Sequence, residues 1–179
     1  MNSSTPHRLV AALAAGVLGM LALAGTSQGA AETGTFGPFV QPLSGTSDDT
    51  GTCLGPDAVG TISGTETVFG HFTENGPPAF GFHDHGTITN EYRVDYSDGR
   101  YVVGSDVVHF NDNATHGDQF TSSTADHASG TVYGPGGEVL GTVTIHAVSH
   151  VTYRDADGDH QPDPGEVTAS VDHFRFTCR

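Results

Sequence analysis

Asp155, Asp157, Asp159, Asp163 and Glu166 occupy positions 1, 3, 5, 9 and 12 of a twelve-residue span, with Gln161 at position 7. A hard cation such as calcium takes about six to eight oxygen ligands. Carboxylates at this spacing wrap one stretch of chain around such an ion, with the Gln161 carbonyl and a bidentate Glu166 completing the shell. Without a cation, five like charges in one loop repel one another. The expected cofactor is therefore calcium, with Asp155, Asp157, Asp159, Gln161, Asp163 and Glu166 as its ligands.

The span resembles the Asp-rich calcium loops of EF-hand, dockerin and thrombospondin type 3 proteins, over these twelve residues alone. It departs from the EF-hand at position 6, where His160 replaces the usual Gly, and at position 8, which is Pro162. Its flanks read as strands, so the resemblance implies a structural ion rather than the opening motion of a sensor.

A second constellation begins at His83-Asp84-His85. Residues two apart on a strand share a face, so an unbroken strand to Tyr96 places His83, His85 and Glu91 together. The dipeptide Asp98-Gly99 is favoured in two-residue hairpin turns. Such a turn sets Tyr96 against Tyr101, Val94 against Val103 and Glu91 against Asp106. Two His and two carboxylates would then form a metal centre or a general acid and base in a barrel mouth. The plainer reading is an exposed polar sheet face, on which Arg93, a metal or a raised pKa would relieve the like-charged Glu91 and Asp106.

The elements that must carry these groups are strands. From residue 57 onward, segments rich in Val, Thr, Ile, Phe and Tyr alternate with Gly, Asp, Asn and Pro clusters, and no helical period appears. Strands are expected over 59–73, 81–96, 100–111, 119–133, 139–153 and 167–178. Residues 32–56 read as a leading strand or arm followed by a loop, and Gly134-Pro-Gly-Gly137 as a turn. In 139–153, Val139, Val143, Ile145, Ala147, Val151 and Tyr153 form an apolar side, and Thr142, Thr144, His146, His150 and Thr152 a polar one. The fold class expected is all-β, an antiparallel meander of long strands closing into a small barrel, with a β-sandwich as the alternative.

Residues 1–31 read as a signal peptide: Arg8, then an apolar run from Leu9 to Gly25, then small residues around Gly29 and Ala31. Cleavage near Ala31 releases one domain to the outside, with no second apolar run to hold it in a membrane. There the chain's two cysteines, Cys53 and Cys178, are expected to pair as a disulfide. The chain carries 21 acidic residues against six basic ones, a net charge of −15, which repels nucleic acid and anionic membranes. All six basic residues are Arg, so Schiff-base chemistry on a lysine and a phosphate-loop lysine are excluded. No Gly-x-Ser-x-Gly signature occurs.

The abundance of Gly, Thr and Asp, the absence of Lys and the ending Asp172-His-Phe-Arg-Phe-Thr-Cys178 resemble small secreted actinobacterial proteins of unassigned function. The long-stranded meander resembles the barrels of allene oxide cyclases and dirigent proteins, a likeness that implies an apolar cavity but carries over no catalytic residue. The functional expectation is a secreted, calcium-stabilised binding protein with a small-molecule or extracellular partner. The rival expectation is a barrel enzyme working on a small organic substrate through His83, His85, Glu91 and Asp106.

Overall fold

The computed structural model describes residues 31–49, 58–75, 81–115, 119–154 and 165–179. Seven strands and no helix form among them: β1 (Glu32–Asp49), β2 (Ala58–Asn75), β3 (Gly81–Tyr96), β4 (Tyr101–Thr115), β5 (Gln119–Tyr133), β6 (Val139–Arg154) and β7 (Val167–Cys178). Each pairs antiparallel with the next, making one sheet with β1 and β7 at its edges. The all-β meander is thus as expected, and it is one sheet rather than two packed ones. β1 is a full strand of 18 residues, longer than an arm.

Strands this long accumulate right-handed twist and coil the sheet. Phe36 of β1 reaches over two strands to stack on Phe110 of β4, with ring centroids 6.2 Å apart. The residues between them in the same row are Gly70 and Gly86. A Cβ on Gly86 would lie 2.6 Å from the Phe110 ring, and one on Gly70 would lie 2.4 Å from the Phe36 ring. Glycine is needed here because the two rings close over its backbone.

The β3–β4 turn differs from the two-residue loop expected. The Tyr96 N–H donates to the Arg100 carbonyl at 2.9 Å, and the Gly99 N–H donates to the Tyr96 carbonyl at 3.0 Å. Gly99 adopts a φ of 86°. The loop is therefore the three residues Ser97-Asp98-Gly99, with the glycine in the left-handed position. The Gly134–Gly137 turn repeats the pattern: Gly134 donates to Glu138, Gly137 donates to Gly134, and Gly137 sits at φ 84°.

That extra residue moves the register by one. Val94 lies opposite Val102, Asp95 opposite Tyr101, Glu91 opposite Ser105, and Asn90 opposite Asp106. Because side chains alternate with period 2, the shift exchanges which face of β4 meets each residue of β3.

Every buried hydrophobic residue lies on one face, the core face. Val94, Tyr96, Val102 and Val132 cluster near the two turns. Val68, Ile88 and Phe110 cluster mid-sheet beside Phe36 and Val108, and Ala114, Phe120 and Tyr153 cluster at the far end. The apolar side of β6 faces this core, with Ala147 and Tyr153 buried. Val139 departs from it: it pairs with Tyr133 across a register shift and is 65% exposed. The opposite face is a carpet of Thr, Ser and His.

Candidate functional site

His83, His85 and Glu91 lie on the solvent face, whereas Asp106 is buried on the core face beside Asn90. The expected four-residue constellation is not brought together, because the three-residue turn flips β4 relative to β3. Of the calcium ligands, Asp155, Asp157, Asp159, Gln161 and Asp163 lie outside the described residues. Glu166 is described, and its carbonyl accepts the Arg154 N–H at 3.0 Å, closing the connection between β6 and β7. Cys53 also lies outside the described residues. Cys178 ends β7, and no described cysteine is free.

The register instead gathers carboxyls on the core face. Glu66 of β2, Asn90 of β3 and Asp106 of β4 form one row, with Asp126 of β5 in the next. Asn90 is completely buried and donates from Nδ2 to Asp106 Oδ1 at 2.7 Å. The Gln41 side-chain amide donates to Glu66 Oε1. Three rows away, Asp84 and Asp112 lie directly opposite each other. Buried Oδ1 atoms of Asp84, Asn90, Asp112 and Asp126 have no hydrogen-bond partner. The Arg side chains on described strands, Arg93, Arg154 and Arg175, belong to the other face, and Arg100 at the β3–β4 turn pairs with Asp98, so no described strand brings a cation to this layer.

Buried carboxylates without cations hold their protons. Burial, aided by the charge of Asp112, pushes Asp84 up to about 7 from an ordinary 3.8. Burial, then the charge of Asp106, raises Asp126 to about 6. Asp112 is raised by burial and held back by a hydrogen bond from Ser122 and by His83. Asp106 is raised by burial against the opposing hydrogen bonds from Asn90, with the Glu66 charge adding to the rise. An acid titrating near neutrality is suited to proton transfer. Asp84 is only 5% exposed, however, so a substrate reaches it only if the core face opens.

The solvent face carries a different feature, an open groove of about 800 Å³. On this face Ser63, Glu91, Arg93, Val103, Ser105, Ser129, Thr131, Thr142 and Thr144 line it, together with Gly64, Gly104 and Gly130, so its floor is mixed, with the exposed Val103 supplying apolar surface. Arg93 caps one end, its guanidinium 3.8 Å from the Tyr101 ring centroid and paired with Asp95 at 2.6 Å. Tyr101 stacks on Tyr133 with centroids 4.8 Å apart. The hydrogen bond from Arg93 holds Asp95 below the usual carboxylate range. Hydroxyls, one acid and one guanidinium in the groove, with the Tyr101–Tyr133 stack in the row beyond Arg93, suit a hydroxyl-rich ligand.

Sequence reasoning missed both features. The carboxyl layer has a readable signal, since Asp84, Asn90 and Asp106 alternate in phase with Ile88, Val94, Val102 and Phe110. The groove has none, because it requires five strands in register.

No protein family, curated protein or solved structure matches the chain.

A carboxyl whose folded pKa lies above its unfolded value takes up a proton on folding. Its favourable contribution is complete below pH 3.8 and is lost as pH rises toward about 7 for Asp84 and about 6 for Asp126. The Asp84 shift bounds that group's share at about 4 kcal/mol. Thermal unfolding should therefore show a higher midpoint at pH 5 than at pH 8. Asp84→Asn should raise the midpoint at pH 8 and flatten the pH dependence between the two.

Proposed function

We propose that this is an exported binding protein that presents the solvent-face groove to a hydroxyl-rich ligand, with calcium in the 155–166 loop as a structural ion. The observation that carries the reading is the groove, in which Ser and Thr hydroxyls from β2, β4, β5 and β6 converge beside Glu91, Arg93 and the Tyr101–Tyr133 stack. Tyr rings and hydroxyls are low-entropy contacts for sugar rings, because they offer flat apolar faces and hydrogen bonds from rigid strands. The rival enzyme reading loses its catalytic set, since Asp106 is on the opposite face from His83, His85 and Glu91.

The export reading rests on residues 1–31 and on the two cysteines. A Cys53–Cys178 disulfide would also roll the sheet toward a barrel. Asp49 and Ala58, which flank the connection carrying Cys53, lie at the same end of the sheet as Cys178. Laid flat, seven strands separate the edges by about 29 Å, whereas disulfide Cα atoms stand within about 7 Å. Phe39 on β1 and Phe174 on β7 both belong to the core face yet are 45% and 54% exposed. Closure of the edges would cover them. The calcium reading rests on the ligand spacing and on the Arg154–Glu166 hydrogen bond, which brings the residue preceding the span to the span's last residue.

Two measurements test this. Titration of soluble oligosaccharides into isotopically labelled protein should shift the amides of Ser105, Thr131 and Thr144, and Arg93→Ala should weaken binding at least tenfold. Shifts confined to other surfaces, or none across a broad glycan panel, would remove the groove reading. Separately, excess calcium should raise the thermal midpoint relative to chelator, and changing Asp157 and Asp159 to Asn should abolish that difference.

A further inference from the structure

Every described histidine lies on the solvent face of the sheet. Two of them meet. His127 of β5 and His146 of β6 are register partners, with ring centroids 4.2 Å apart and Nδ1 atoms 3.2 Å apart. Both residues are exposed. We propose that this pair is a binding site for a late first-row divalent metal, zinc or copper(II), held between the two Nδ1 atoms with water completing the shell. The pair lies one row beyond Ser129 and Thr144 at the edge of the groove, does not itself line the groove, and does not depend on the groove reading.

The geometry supports chelation directly. Two nitrogens bound to one tetrahedral zinc at ordinary bond lengths stand about 3.3 Å apart, and this pair already stands at 3.2 Å. In the metal-free pair, one Nδ1–H donates to the other Nδ1. On binding, that proton is exchanged through water onto Nε2 of the same ring, so two neutral imidazoles each present a bare Nδ1 to the metal and no net proton is released. Because the two side chains project from facing positions of a continuous ladder, the backbone holds them together before the metal arrives.

The neighbours decide which cation fits. Imidazole suits zinc and copper, while calcium prefers oxygen, so this site and the 155–166 loop select different ions. Arg175 lies opposite His146 and repels any bound cation. Any ion held here must therefore form bonds to nitrogen strong enough to offset that repulsion. His109 of β4 and His173 of β7 stand one row away on the same face, opposite Ala125 and Val148. Such diagonal neighbours are about 7–8 Å off, within reach of long side chains. His109 presently contacts Thr87 Oγ1 through Nδ1 at 3.3 Å.

Isothermal titration of zinc into the calcium-saturated, signal-free chain tests the site. One equivalent should bind, and His127→Ala and His146→Ala should each weaken binding at least tenfold. His71→Ala, which disrupts the separate His71–His85–His83 group instead, should leave the affinity of the His127–His146 site unchanged. Metal-free circular dichroism of each variant verifies folding. Copper(II) bound to the wild-type chain should also show electron-paramagnetic coupling to two imidazole nitrogens, a readout that needs no variant. Absence of saturable zinc binding, binding indifferent to His127 and His146, equal loss in His71→Ala, or a copper spectrum without imidazole coupling would each overturn the proposal.

Discussion

In an antiparallel meander, the environment of every side chain is set by register, and here the register of β3 against β4 is fixed by a three-residue turn. Ser97-Asp98-Gly99 carries its glycine at φ 86°, and Tyr96 and Arg100 close the loop by a backbone hydrogen bond. A two-residue loop would have moved each β4 side chain to the opposite face. Asp106 would then face solvent beside Glu91, and Val102 and Phe110 would leave the core. The neighbouring turn at Gly134–Gly137 has the same hydrogen-bond pattern, so two adjacent hairpins hold one consistent register. From it follow the apolar clusters, the buried carboxyls, the hydroxyl groove and the His127–His146 pair.

The register has a cost, because it commits Glu66, Asp84, Asp106, Asp112 and Asp126 to a face to which no described strand brings a cation. Ionised together they would be strongly unfavourable in a low-dielectric interior. The chain limits that cost in two ways: amides of Gln41 and Asn90 donate to Glu66 and Asp106, and Asp84 and Asp126 retain protons to near neutrality. A protein of net charge −15 thus keeps part of its acidity neutral inside the fold, and its interior is most comfortable in mild acid.

Strand identity was legible because β-branched and aromatic residues were concentrated between Gly, Pro and Asp clusters, and the alternation in β6 separated an apolar side from a polar one without deciding which sheet face lies inside. The turn was not, because Asp-Gly serves two-residue and three-residue hairpins alike and only the closing hydrogen bonds separate them. The site inherited that ambiguity: His83, His85 and Glu91 do share a face, but Asp106 was assigned to the wrong one. The buried acids were overlooked because a charged residue in phase with a hydrophobic face contradicts the pattern that identifies the face. The His127–His146 contact depends on the β5–β6 register, which the Gly134–Gly137 turn sets together with the register shift beside Tyr133, and the sequence shows no sign of that shift.

The central claim is that register, acting through burial, sets the charge state of the core-face acids. Carboxyl carbon chemical shifts followed by nuclear magnetic resonance from pH 3 to pH 9 test it most directly. The structure requires Asp84 to titrate near 7 and Asp126 near 6, with Asp95, on the other face beside Arg93, below the usual range. If Asp84 and Asp126 instead titrated with ordinary exposed carboxyls near 3.8, they would be open to water and the register account would be wrong.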